Sequence, residues 1–280
     1  MTILLALASA LTYGAADFLG GLASRRATAL GVVAISQLAG VALLAALLPF
    51  APGGHASAAD YSWAAGSGVA GGVGVTLLYR GLALGPMSVV APVTAVCAAA
   101  LPVAAGLAFG EHLPFAAMAG IALAFPAIAL VSRAESREDG SAAAGVQSVL
   151  IALGAGVSFS AFFVLLARTS TGAGLWPLLG TRAGSLGIVL LVAGAGRRSL
   201  LVPRPVLRTV LAAGALDMAA NAFFLFAVTR GFLSIVSVLT SLYPAATVLL
   251  ARGVLKERIS RSQSAGVACA CVAVALIAGS

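Results

Sequence analysis

Two stretches of this 280-residue chain are copies of one another, and the offset between them does not change along the sequence. Met87–Pro114 (MSVVAPVTAVCAAALPVAAGLAFGEHLP) and Leu233–Ser260 (LSIVSVLTSLYPAATVLLARGVLKERIS) stand 146 positions apart. In that register Ser88 falls on Ser234, Thr94 on Thr240, Ala105 on Ala251 and Glu111 on Glu257. Outward from there Gly85 meets Gly231, Gly68 meets Gly214, Gly120 meets Gly266 and Ala15 meets Ala161, while Leu11-Thr12-Tyr13 falls on the similar Val157-Ser158-Phe159. Any one match between small apolar residues is weak. A gapless register from one end of the chain to the other marks an internal duplication.

What the duplicated unit folds in is decided by composition. The chain is 61% hydrophobic and only 9% charged, with a mean hydropathy of +1.10. A soluble protein carries roughly 25% charged residues, and so few charges could not cover a water-facing surface. The apolar runs each reach about 20 residues, the length a helix needs to cross a bilayer core. The chain therefore reads as an all-α polytopic membrane protein. Its net charge of +8 does not point to nucleic acid, because the basic residues sit at the ends of apolar runs, where membrane topology accounts for them. Cys97, Cys269 and Cys271 lie inside apolar runs without a metal spacing. His55 and His112 lie at run ends, so no metal or cofactor is expected.

In chain order the first run is Ile3–Ala23, which lacks the positive start of a signal peptide and is too long for its apolar core. Further runs cover roughly 29–50, 62–82, 86–109 and 113–132, punctuated by Pro52-Gly53-Gly54, Gly85-Pro86 and Glu111–Pro114. Residues 133–144 are a charged linker. The second half repeats the scheme at roughly 145–167, 175–196, 207–229, 232–255 and 260–279. Residues 1–132 and 145–280 are thus two five-helix repeats, ten transmembrane helices in all. Pro92, Pro102 and Pro244 predict kinks in the fourth and ninth spans.

Because five is odd, the second copy enters the membrane from the opposite side, and the repeats are inverted. Inverted repeats are a recurrent plan of secondary transporters, with the substrate site near the midplane between the halves; a duplicated scaffold without transport is the bland alternative. Thirteen basic residues mark one set of span ends, against Arg168 and Arg230 on the other, with Arg182 inside a span. The positive-inside rule makes the rich side cytoplasmic and both termini outward. The expected location is the cell inner (plasma) membrane, multi-pass.

Gly110-Glu111-His112-Leu113 and Lys256-Glu257-Arg258-Ile259, each leading out of a span rich in small residues, resemble the drug/metabolite transporter superfamily in its EamA-like branch. The opening Tyr13-Gly14-Ala15-Ala16-Asp17-Phe18 is similar to that family's first helix. Lys256 departs from Gly110 and bears on the turn geometry alone. The resemblance covers nearly the whole chain. It implies a carrier with a central cavity walled mainly by spans 1, 3, 4, 6, 8 and 9, moving small organic solutes, often outward.

Ionisable groups deep in a span cost roughly 2.5–3.5 kcal/mol on insertion and mark a pathway or a buried pair. Three such groups are present, Asp17, Arg182 and Asp217. Asn221 follows Asp217 at i+4, on the same helix face. That face either binds solute or proton, or clasps a neighbour such as Arg182. Tyr13 precedes Asp17 at i−4, and a carboxylate there either binds an amine, carries a coupling proton, or faces an inner vestibule. Arg182 reads foremost as a structural ion-pair partner. Thr94, Thr240 and nearby Tyr243 are substrate-site candidates, although hydroxyls at such places more simply bond back to their own helix carbonyls. Glu111 and Glu257 read as caps of the helices that follow them; Arg80 and Arg230 read as snorkelling ends. Glycines crowding the third span, and Gly180, Gly184 and Gly187 in the seventh, permit close helix approach.

The function expected from these residues is secondary transport of a small organic metabolite, amine-bearing or zwitterionic as an amino acid is, by alternating access. Its partners are that solute and the lipid bilayer, the drive is proton exchange or the solute's own gradient, and the protein is a monomer or homodimer. No GxxxxGK[ST] loop is found for ATP drive. The alternative class is an intramembrane enzyme or lipid-handling protein, for which no base–nucleophile set can be assembled.

Overall fold

The computed structural model describes residues 1–50, 54–84, 87–131, 142–243, 245–247, 250 and 261–278. Among them every regular element is helical. The α-helices are α1 (Thr2–Ser24), α2 (Ala29–Leu47), α3 (Ala58–Leu84), α4 (Met87–Ala108), α5 (Phe115–Val131), α6 (Ala142–Ala167), α7 (Pro177–Ala195), α8 (Arg204–Val228), α9 (Leu233–Thr240) and α10 (Arg261–Ala278). α1, α2, α6, α7 and α8 each hold a segment long and apolar enough to cross a membrane, and shorter apolar helical stretches lie in α4, α5 and at 233–247. At 1.5 Å per residue the 23 residues of α1 extend about 35 Å, the thickness of a hydrocarbon core and a little more.

Local sequence sets the boundaries. Thr28 caps α2 by accepting the Gly31 N–H at 3.2 Å. Pro177 opens α7, where its missing N–H costs nothing. The sequence led us to expect a ninth helix running unbroken from 232 to 255. Instead α9 ends at Thr240, Ser241 and Leu242 form a turn, and helix follows at Tyr243 and 245–247. A proline at 244 has no N–H for the Thr240 carbonyl, which is reason enough for the ladder to stop there. The kink expected there and the partner expected for Glu257 fall outside the described residues. α4 runs helical through Pro92 and Pro102.

The outside of the bundle is apolar. Leu150, Leu153 and Val157 form an exposed stripe on α6 while Ala152 and Ala155 on its other side are fully buried. Leu190 and Leu191 do the same for α7. In water such surfaces would be a liability; against lipid they are satisfied.

The duplication is visible in packing. α1 lies against α8, and the equivalent pair, α6 and α3, lie together. α3 packs on α7 as α8 packs on α2, α6 on α4 as α1 on α9, and α5 on α10. The register is kept at the crossings. A Cβ on Gly14 would meet the Tyr243 carbonyl at 2.5 Å, and at the matching place Ser160 Oγ donates to the Cys97 carbonyl at 2.6 Å.

Equivalent helices run in opposite directions. The start of α1 meets the end of α8, where Thr2 Oγ1 donates to the Arg230 carbonyl at 3.2 Å. The late residues of α1 and α3 meet at Gly20 and Tyr79, whose ring lies where a glycine Cβ would be. α3 therefore begins at the end of the bundle where α8 finishes.

Three glycine crossings hold the bundle close. A Cβ on Gly68 would run into the Thr181 carbonyl, one on Gly184 into that of Ala65, and one on Gly214 into that of Ser36. Gly187 differs from the seam expected for the seventh span: nothing lies within 4 Å of the place its Cβ would take.

Two carboxylates tie the bundle at the charge-poor end. Asp60, at the start of α3 and outside the apolar span, accepts the Ser57 N–H at 2.8 Å and the Ser170 N–H at 2.7 Å. Those hydrogen bonds hold its pKa at about 2, the Ser170 N–H contributing most. Glu111 corrects the sequence reading. Rather than capping α5, it accepts the N–H of Leu233 at 2.6 Å and of Ser234 at 3.1 Å, and so caps α9 of the other repeat. Both N–H groups are helix-end donors with no partner inside α9, and the chain brings α9 to Glu111 only through tertiary packing.

Candidate functional site

A cavity lies inside the bundle where both repeats meet. Tyr13 and Asp17 of α1 and Asp217 and Asn221 of α8 share its lining with Tyr243. Five of the seven sequence candidates are thus brought together. The other two are not. Thr94 is fully buried and its hydroxyl donates to the Ala152 carbonyl of α6 at 3.1 Å, a clasp between helices. Thr240 is fully buried and away from the cavity lining.

The centre of the site is Arg182, 3% exposed. Its Nη1 donates to Asp217 Oδ2 at 2.8 Å and also to Gln37 Oε1 on α2. Nε points to the sulfur of Met218 at 3.2 Å. Asp217 keeps 23% of its side-chain surface open, so this one carboxylate is both an ion-pair partner and part of the cavity wall. Of the two readings left open for it from sequence, the clasp to Arg182 is present.

Several polar atoms in the lining are buried without a partner among the described residues: Tyr13 OH, Tyr243 OH, Asn221 Oδ1, Ser185 Oγ and Arg182 Nη2. Asn221 spends its amide N–H on the Asp217 backbone carbonyl at 2.6 Å, which turns its acceptor oxygen free. Native proteins leave few such atoms unsatisfied, and each one calls for a bound water, ion or solute. Asp17 has no hydrogen bond among the described residues. With Arg182 paired to Asp217, Asp17 is the lining carboxylate without a hydrogen-bond partner among the described residues.

The cavity volume is about 50 Å³, room for a few waters. An apolar part of the lining is formed by Phe159, Phe162 and Phe163 of α6. The Phe163 ring centroid lies 4.6 Å from Phe224, 5.3 Å from Phe162 and 6.5 Å from Tyr13, within the range of attractive aromatic pairing.

Two helices contribute more than the sequence implied. Gln37 on α2, and Thr181, Arg182 and Ser185 on α7, all reach the lining, although the resemblance placed the walls mainly on other helices. Arg182 was readable as a buried charge. Gln37 and Ser185 carried no signal, because lone neutral polar residues in apolar helices commonly bond to their own backbone.

With this geometry in view, comparison with known proteins decides the family. A model of the EamA-like transporter family matches residues 1–133 and again 146–279. The chain belongs to the EamA-like transporter family. EamA-like proteins are membrane transporters of the drug/metabolite transporter superfamily, and the two matched segments are the two repeats. A protein of known crystal structure superposes with a TM-score of 0.71 at 20% identity, over 96% of this chain and 95% of its own; that likeness speaks for the fold alone. A search of functionally characterised proteins returned no match.

Proposed function

We propose that this EamA-like protein is a secondary carrier that moves a small amine-bearing or zwitterionic organic solute, an amino acid being one example, by alternating access. The observation that carries the reading is Asp17. It is a carboxylate without a partner among the described residues, in a cavity lined by both helical repeats, as are the Tyr13 and Tyr243 hydroxyls and the Asn221 oxygen. An ammonium group supplies the donors that Asp17 and Asn221 lack, and the free Arg182 Nη2 supplies a donor for a solute carboxylate.

The proposed architecture is ten transmembrane helices in two inverted five-helix repeats, residues 1–132 and 145–280 joined by 133–144. The opposed directions of α3 and α8 support it. The excess of basic residues at one end supports a plasma (inner) membrane protein with that end cytoplasmic and both termini outside. Export is the direction that the family resemblance suggests, with a proton exchanged on Asp17 as the coupling step.

The test is uptake into proteoliposomes of a panel of amines, amino acids and sugars, by the wild type and by Asp17→Asn. Transport of amines or amino acids that falls with Asp17→Asn, in a variant that still melts cooperatively, supports the reading. Sugar transport alone, or amine transport indifferent to Asp17→Asn, overturns it.

A further inference from the structure

The duplication makes a comparison possible that a single-copy site would not allow. At the constant offset, Tyr13 and Asp17 on α1 correspond to Phe159 and Phe163 on α6. Asp217 and Asn221 on α8 correspond in the same way to Gly71 and Val75 on α3. Both members of every pair line the one cavity. Equivalent positions of the two repeats therefore border the same space, and one set is polar where its image is apolar.

That asymmetry constrains the ligand. A solute that is polar all round, such as a sugar, is matched by hydrogen-bonding groups on both walls, because any solute polar group facing an apolar wall loses its water without replacement. A solute without a charged head has no use for a buried unpaired carboxylate. Here the backbone is the same on both sides, and only the side chains have diverged. Gly71 sharpens the point: a Cβ there would come within 2.9 Å of the Phe162 ring, so the residue equivalent to Asp217 leaves room for an aromatic side chain. The rings are not isolated core residues either. Tyr13 meets Phe163 edge-on at 6.5 Å, which places the polar and the aromatic walls in direct contact within the cavity.

We infer that the solute is amphipathic and is bound with a fixed polarity, its amine or zwitterionic head at Asp17 and Asp217 and a flat apolar tail against Phe159 and Phe163. The inference rests on the carrier reading above and adds the tail. The head selects by charge on α1 and α8, and the tail selects by shape on α6. Short hydrophilic amines fill only half of the site.

The test is equilibrium binding to the full-length protein in detergent, using 2-phenylethylamine, ethylamine, phenylalanine, alanine and 3-phenylpropionate as probes. The ring-bearing amines are expected to bind at least tenfold more tightly than ethylamine and alanine. 3-Phenylpropionate, which has the ring without the amine, is expected to bind at least tenfold more weakly than phenylalanine. Phe163→Leu is expected to cut the ring preference to below threefold by weakening the binding of the ring-bearing amines. Phe159→Leu, at the less buried position, makes the same test if Phe163→Leu does not fold. Equal binding of amines with and without the ring overturns the inferred tail while leaving the carrier reading intact. Equal binding of 3-phenylpropionate and phenylalanine overturns the amine head, and the carrier reading's solute class with it. Absence of binding by all five probes to a cooperatively melting protein overturns both.

Discussion

Arg182 Nη1 lies 2.8 Å from Asp217 Oδ2, joining α7 to α8 across the inside of the bundle, with Arg182 buried and Asp217 partly open to the cavity. Removing one member of such a pair leaves an uncompensated buried charge, at a cost of about 3–5 kcal/mol. Arg182→Met and Asp217→Leu are each expected to lower the melting temperature in detergent steeply. The double variant is expected to recover most of that loss, since two apolar side chains replace the pair, yet to remain inactive in transport. Single-variant effects that simply add in the double variant would contradict the coupling.

Asp17 stands apart from that pair and so gives the cleaner functional probe. Asp17→Asn removes a charge without stranding Arg182. The loss of a charged hydrogen bond to an ammonium is worth about 1.5–3 kcal/mol, roughly ten- to a hundredfold in apparent affinity. Transport titrations against the solute found in the proteoliposome panel check this, with an unchanged melting temperature as the control.

Asp60 supplies a pH test outside the apolar spans. Its pKa is held at about 2 by the Ser170 and Ser57 donors, below the ordinary aspartate value of about 3.9. A depressed folded-state pKa contributes stability that is fully present above the ordinary value and is lost as pH falls toward 2. Asp60→Asn is therefore expected to melt below the wild type at pH 6, with the gap closing between about pH 4 and pH 2. A gap independent of pH over that window would show that the charge is not what ties α3 to Ser170.

The Glu111 carboxylate is expected to contribute about 0.5–2 kcal/mol as a charged cap of α9. Glu111→Ala is expected to lower stability by that amount. Glu111→Gln, which keeps one acceptor oxygen and loses the charge, is expected to fall between. Equal stability of all three forms would remove the clasp between the repeats.

Glycines separate by contact. Gly214→Ala places a methyl group against the Ser36 carbonyl, and overpacking of that kind costs typically 1–3 kcal/mol. Gly187→Ala meets nothing and is expected to be neutral or to stabilise by roughly 0.5–1 kcal/mol through helix entropy. Thermal melts of the two variants check the contrast.

Much of this molecule could be read from its residues. The 146-residue register anticipated which helices would pack as equivalents, because a duplicated unit repeats its contacts. Asp17, Asp217 and Asn221 were legible because charge and amide groups are too costly in lipid to lie there without a reason. Thr94 was not, because a hydroxyl finds partners almost anywhere in a helical bundle, and here it found Ala152. The true partner of Glu111 was hidden for a different reason. The donors at Leu233 and Ser234 belong to a helix 122 and 123 residues away, and only tertiary packing brings them within reach. Gly187 shows the limit of spacing rules, since the same three-residue interval places Gly184 against α3 and leaves Gly187 open.

The central claim, a cavity between opposed repeats that opens alternately to either side, is tested most directly by thiol labelling at Ser185, whose hydroxyl is buried in the lining without a partner. Ser185→Cys, in a background with Cys97, Cys269 and Cys271 changed to Ala, would be exposed to a membrane-impermeant thiol reagent in right-side-out and inside-out vesicles. The account predicts labelling from both faces, slowed from both by the transported solute. Labelling from one face only, or labelling that the solute does not affect, would contradict it.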